Sequence, residues 1–188
     1  EKDCGQYDTV TEVMWVTGAA LFIRLADYRE VGGLDGHFFA HMEEIDLCWR
    51  LRSRGKKLVC IPQSVVYHVG GATLKKENPR KTFLNFRNNL LMLYKNLPDK
   101  ELEHVLFIRG ILDRVAALVF YLKKDRANAR AVMQARREFE DIRYSFAASR
   151  IENMMKSTDE IIPERTHFSI VMKYYLLGKK HFSQLKLF

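Results

Sequence analysis

The run His41-Met42-Glu43-Glu44-Ile45-Asp46-Leu47-Cys48-Trp49-Arg50 holds the densest set of proton- and cation-handling groups in this sequence. Three carboxylates, Glu43, Glu44 and Asp46, fall where a helix is predicted to begin. Acids at that end are favoured by the partial positive charge of the unpaired N–H groups, and Asp46 is spaced i,i+4 from Arg50 for an ion pair. That accounts for the acids structurally. The approach, Gly32-Gly33-Leu34-Asp35-Gly36-His37-Phe38-Phe39, suggests more. A loop rich in glycine and aromatics that delivers acids to a helix start is a way of presenting carboxylates at the rim of a cleft.

Three further groups invite a chemical reading. His68 ends a short apolar run, Val65 to His68, where an imidazole serves either as a structural group or as a ligand. Lys75, Lys76, Arg80 and Lys81 make a basic loop, able to hold a diphosphate through point charges and forked guanidinium bonds or simply to be solvated. Trp15 is suited either to a core or to stacking on the apolar face of a sugar.

The elements that would position these groups follow from periodicity and punctuation. Residues 12–24 read as buried β structure with a tight point at Gly18. Ala26 to Val31 makes one or two helical turns closed by Gly32-Gly33. Glu43 to Arg54 is a helix with acids first, arginines last and Gly55 as its C-terminal cap. Leu58 to Ile61 and Val65 to His68 read as short strands. From Thr82 the period is helical, with Phe83, Phe86, Leu90, Leu93 and Leu97 on one face and Pro98 as the stop. Two more helices are predicted over 100–122 and 124–148, joined near Lys123-Lys124-Asp125. Residues 150–166 read as polar and loose.

With 188 residues, 47% of them hydrophobic and 29% charged, the chain is a core-forming protein of one domain or one domain with an appendage. No uncharged apolar run is long enough to span a membrane, Val105 to Leu122 being interrupted by Arg109, Asp113 and Arg114. The opening residues show no signal peptide, and the absence of an initiating Met suggests a piece of a longer chain. Three cysteines, none in a Cys-x-x-Cys pair, favour reduced thiols over a disulfide framework. The net charge of +8 is uneven: 14 basic residues against 12 acidic in 1–99, and 17 against 11 in 100–188. A basic second half suggests an anionic partner or a solvated surface. Nucleic acid is disfavoured, because the basic residues lie on helices without a reader motif.

Taken in order, Thr17-Gly18-Ala19-Ala20-Leu21-Phe22-Ile23-Arg24, Gly32-Gly33-Leu34-Asp35, Phe38-Phe39, Glu43 to Arg50, Gly55, Pro62 and Tyr67-His68 carry a family resemblance. From residue 13 to about 97 the chain resembles the C-terminal half of the catalytic domain of family 2 glycosyltransferases, the inverting GT-A class that includes bacterial rhamnosyl- and galactosyltransferase-like enzymes. The resemblance implies an α/β fold, the C-terminal half of a GT-A (Rossmann-like) domain over 1–97 on the acceptor side. A helical appendage over 98–188 would follow. It implies sugar transfer, with inversion, from a nucleotide-diphosphate sugar to a hydroxyl of a glycan or lipid-linked acceptor. Glu44 would be the general base, with Glu43 the alternative. Trp15, Thr17, Gly18 and Asp35 would lie in the sugar and acceptor pocket, and Lys75 and Arg80 would reach the diphosphate. His68 would be a ligand of a divalent cation, Mn²⁺ or Mg²⁺. The nucleotide-binding half and its Asp-x-Asp motif would lie upstream of Glu1, leaving this piece inactive alone.

For the second half, the apolar helix over 105–122 would be buried in a helical core, packed on a partner or partly sunk in a membrane interface. The basic helix after it and the aromatic, lysine-rich tail from Phe168 favour an anionic bilayer surface, hence a cytoplasmic protein peripheral on the inner face of the membrane. The competing functional class is a non-catalytic, basic, helix-rich module that binds a membrane surface or partner.

Overall fold

A computed structural model describes residues 2–69, 78–158, 162–166 and 168–185. Among them the order of elements is β1 (Thr11–Glu12), α1 (Leu25–Glu30), α2 (Glu43–Ser53), β2 (Val59–Cys60), α3 (Pro79–Asn96), α4 (Asp99–Leu122), α5 (Arg126–Ile142), α6 (Ala147–Met155) and α7 (Ile170–Tyr175). Short 3₁₀ turns stand at Gly18–Ala20, Gly36–Phe38, Arg143–Phe146 and Phe182–Leu185.

Among the described residues the expected half of a parallel, Rossmann-like sheet is not clearly seen. β1 and β2 pair antiparallel, Thr11 opposite Cys60 and Glu12 opposite Val59, and they form the only sheet there. Residues 13–24 do not continue as a buried strand. A strand is stabilised by a partner for its N–H and C=O groups, and here the chain turns instead. The Thr17 hydroxyl accepts from the Ala19 N–H to cap the 3₁₀ turn. Residues 65–69 also lack strand structure and are exposed.

The helices agree better with the reading from periodicity. α2 begins at Glu43, and its end is closed by Gly55 at φ +74°, with Gly55 N–H bonding to the Arg52 carbonyl and Lys56 N–H to that of Leu51. Asn78 caps α3 by accepting from the Arg80 N–H, with Pro79 in the first turn, where its missing N–H costs nothing. Pro98 separates α3 from α4, and Lys124, at φ +64°, turns the chain from α4 into α5.

α3 is the centre of the bundle. α2, α4, α5 and α6 all pack on it, and the loop before α2 is tied to it through Asn88. One apolar core therefore includes Phe38 and Trp49 from the first part of the chain and Leu102, Phe139 and Phe146 from the second, running across residue 97. A smaller cluster, Val31, Leu47 and Leu51, seats α1 against α2.

Residues 150–166 are more ordered than their polarity suggests. α6 runs to Met155, and Arg150 is buried, donating to the carbonyls of Tyr94 and Leu97 and pairing with Asp99. Asn153 bonds to the Lys95 carbonyl. The last carbonyls of a helix have no partner inside it, so these polar side chains satisfy the C-terminal end of α3. Polarity here serves burial. Further on, Arg165 makes a forked pair with Glu101, and Glu164 pairs with the buried Arg52 of α2.

Candidate active site

The acids at the start of α2 are held by a buried polar network. Asp46 is fully buried and accepts from Arg50, Lys95 and Asn96, at 2.8 to 3.0 Å. The i,i+4 pair expected from the sequence is present. Arg50 also donates to the carbonyls of Val31 and Gly33, tying the Gly-Gly turn to α2. Lys95 reaches on to Asp35 at 2.7 Å. Asp35 in turn accepts from the backbone N–H of His37 and pairs with its ring. Burial alone would raise the Asp35 carboxyl, but the Lys95 ammonium and the His37 bonds outweigh it and hold the group at about 2. Both its oxygens are engaged, so its visible work is to brace the loop.

Between this network and α2 the backbone is strained. Phe39, His41 and Met42 have φ of 62°, 71° and 73°, a left-handed region that costs a residue with a side chain about 1–3 kcal/mol. Asn88, fully buried on α3, holds the strained loop: its side-chain amide donates to the carbonyls of Phe38, Ala40 and His41, each at 2.8 Å. Arg87 adds a bond to the His37 carbonyl. The loop thus delivers Glu43 and Glu44 to the first turn of α2 in a fixed orientation.

Glu43 and Glu44 each keep one carboxylate oxygen shielded from solvent with no hydrogen-bond donor among the described residues, and so does the Nε2 of His41. Burial raises the Glu44 carboxyl above the ordinary glutamate value, and the neighbouring Glu43 charge adds to the rise. The backbone N–H groups of Glu44 and Ile45 and the nearby His41 oppose it. A half-buried carboxylate with a free lone pair and raised basicity is chemically a proton acceptor waiting for a donor.

The segment 15–18 runs along this acid. A β-carbon added at Gly18 would stand 3.6 Å from the Glu44 β-carbon. One turn down, burial pushes the Cys48 thiol up, against a hydrogen bond from the Val16 backbone. Thr17 and Gly18 are exposed there, and Trp15 is 46% exposed. The structure therefore brings Gly18 beside Glu44. Arg80 sits on the first turn of α3 with its guanidinium over the Phe39 ring, at 5.5 Å, beside the strained loop. Lys75 lies outside the described residues. A cleft of about 700 Å³ nearby is lined by the Gly32–His37 loop, Arg50, Lys95 and α6, and neither Glu43 nor Glu44 lines it.

His68 is exposed in the irregular segment after β2. Among the described residues no three His, Cys, Asp or Glu side chains come together as a metal site. Among the described residues, therefore, no such group surrounds His68. Sequence reading also missed Asn88 and Lys95. Their signal was present, since Leu84, Asn88, Leu91 and Lys95 recur at helical spacing, a second buried face on α3 that happens to carry polar groups.

Comparison with known proteins bears on what this arrangement is for. A pre-mycofactocin glycosyltransferase of Mycobacterium tuberculosis is 31% identical over 141 residues, covering 69% of this chain and 29% of that protein. An N-acetylglucosaminyl-diphospho-decaprenol L-rhamnosyltransferase of the same species is 38% identical over 56 residues, 30% of this chain and 18% of that one. The rhamnosyltransferase WbbL of Escherichia coli is 36% identical over 61 residues, 32% of this chain and 22% of its own length. The homologues of this chain are glycosyltransferases. The chain spans less than a third of the length of these curated relatives. No protein-family model matches it, and no solved structure does. No helix among the described residues is long and apolar enough to cross a membrane.

Proposed function

We propose that this chain is the acceptor-side part of an inverting glycosyltransferase of family 2, with Glu44 as its general base. The observation that carries the reading is the Glu44 carboxyl: half-buried, raised in basicity, with one oxygen lacking a donor among the described residues and Gly18 beside it. A sugar hydroxyl is a poor nucleophile. As its oxygen attacks the anomeric carbon of a nucleotide-diphosphate sugar, its proton passes to Glu44. The bond from the anomeric carbon to the diphosphate oxygen breaks, and its electron pair leaves with the nucleoside diphosphate. Attack in line with the leaving group inverts the anomeric centre.

Trp15, Thr17 and Gly18 are assigned to the acceptor and sugar side of Glu44. Arg80, beside Phe39, is assigned with Lys75 to the diphosphate. Asp35 supports the site through Lys95. The acceptor is a hydroxyl of a glycan or of a lipid-linked sugar, the second kind being the one named in the decaprenol-dependent rhamnosyltransferase relative. A cation-binding role for His68 is kept as a proposal with its own test.

Replacement of Glu44 by Gln in the full-length protein tests the assignment. Turnover should fall by two orders of magnitude or more, about the scale of a lost general base, with donor binding nearly unchanged. Glu43→Gln should cost less. Retention of most activity in Glu44→Gln would falsify the assignment.

A further inference from the structure

One face of α4, carrying Leu102, Leu106, Gly110, Asp113 and Ala117, is buried against the bundle. The opposite face is apolar and open. Phe107, Ile111, Val115, Leu118 and Leu122 follow one another at steps of four, four, three and four, and each is about half exposed or more. They form a stripe about 22 Å long at 1.5 Å per residue. Monomeric proteins rarely leave so continuous an apolar strip uncovered.

At its C-terminal end the stripe opens into a groove of about 770 Å³ shared with α5. Ala117, Leu118 and Met133 line it together with Arg126, Arg130 and Arg137. These three arginines and Lys123 and Lys124 are exposed and make no ion pair among the described residues. The nearest acid in sequence, Asp125, is committed to capping α5 through Asn128. Tyr121, at the same corner, stacks under Arg126 at 5.8 Å, an amphipathic ring of the kind that settles at a bilayer surface.

Charge selects the occupant. A second copy laid antiparallel along the stripe would set Arg114 against its own counterpart near the two-fold axis. A parallel copy would bring together two Lys123-Lys124-Arg126 corners. Either arrangement meets like charge with like. An anionic surface meets all of these groups with opposite charge.

We propose that the Phe107–Leu122 face of α4, with the arginine-lined groove it shares with α5, docks this protein on an anionic lipid bilayer. The helix lies in the plane of the interface with its apolar stripe sunk among the acyl chains, while the lysines and arginines at its end engage lipid phosphates. Sugar transfer and docking are separable properties, since neither Glu44 nor its network belongs to this face.

Vesicle sedimentation of the full-length protein tests it, with phosphatidylcholine vesicles compared to vesicles that also contain phosphatidylglycerol. The protein should favour the anionic vesicles by about tenfold or more, and added salt should erode the preference. Leu118→Glu, and separately the pair Arg130→Glu with Arg137→Glu, should each lower partitioning about tenfold. Ile151→Glu, an exposed position on α6, should not. All four positions are solvent-facing, and unchanged melting by circular dichroism checks each fold. Leu118→Trp gives an independent reading, because its fluorescence should shift to the blue on anionic vesicles. Equal binding to both vesicle types, or unchanged partitioning in the variants, overturns the proposal. So does a wild-type dimer that Leu118→Glu dissociates while neither form sediments with lipid, which would assign the face to a second copy.

Discussion

The Lys95 ammonium stands 3.0 Å from the Asp46 carboxylate across 49 residues of chain, both groups buried, and this contact joins α3 to the helix that carries the candidate base. It also continues to Asp35 in the loop that leads to α2. Lys95→Met should remove the shared cation and leave two carboxylates with fewer partners. Breaking a buried pair from one side costs about 3–5 kcal/mol, so denaturant melts should show a loss of that order. A loss under about 1 kcal/mol, the scale of a surface pair, would mean that the network does not hold the site.

The same network predicts an acid dependence. The Asp35 carboxyl is held at about 2, below its ordinary 3.8. A depressed carboxylate adds stability that is fully present above the unfolded value and is lost as pH falls through the folded one. Asp35→Asn should therefore be less stable than the natural sequence at neutral pH. The gap should close as the pH is brought from about 4 toward 2. Parallel curves over that window would remove Asp35 from the network's energetics.

Glu44 has the opposite sign. Its carboxyl is raised by burial and by Glu43. A carboxyl raised on folding subtracts stability above its unfolded value, because the folded state resists losing the proton. Glu44→Gln should therefore be as stable as the natural sequence or slightly more so at neutral pH, converging with it below the ordinary glutamate range. In the full-length enzyme the acid limb of turnover should lie above that ordinary range and should vanish in Glu44→Gln. A stabler natural sequence at neutral pH would show that the Glu44 charge is paired after all.

Much of the architecture was legible in the sequence wherever the signal was local. The start of α2 at Glu43, its closure at Gly55, the Asp46–Arg50 pair and the break at Pro98 each rest on neighbours within a few residues. The misses are non-local. Residues 12–24 have strand-forming composition, but a strand needs partners that composition does not supply, and Thr17 and Gly18 make a turn instead. Arg150 and Asn153 look like solvated polar residues until the end of α3 is placed beside them. Asn88 and Lys95 were hidden for the same reason: a polar residue on a buried face shows its purpose only when the opposing backbone or carboxylate is in place.

His68 carries a prediction about metal. It is exposed, and among the described residues no three His, Cys, Asp or Glu side chains come together as a metal site. If it ligates a divalent cation in the full-length enzyme, the remaining ligands come from elsewhere. His68→Ala should then weaken Mn²⁺ activation more than it lowers melting temperature, and Mn²⁺ should broaden the His68 ring resonances selectively in the unaltered protein. Superimposable metal titrations of the two proteins would make His68 structural.

Asn88 offers a test of whether the strained loop matters to the candidate site. Its amide NH₂ shares two protons among three carbonyls, those of Phe38, Ala40 and His41. Asn88→Ala leaves them without that donor inside the protein, which should cost about 1–3 kcal/mol. Phe39, His41 and Met42 hold left-handed backbone only while their surroundings impose it, so the loop should relax and the start of α2 should loosen. Asn88 does not itself meet substrate. Its loss should lower kcat by misplacing Glu44 while donor affinity changes little, since a misplaced base raises the barrier without removing donor contacts. Asn88→Asp is the sharper variant: it keeps the size of the side chain but replaces the donor with an acceptor facing three carbonyl oxygens. It should be at least as damaging as Asn88→Ala in both melting and kcat. An Asn88→Asp protein with normal turnover would show that the candidate base does not depend on how this loop is held.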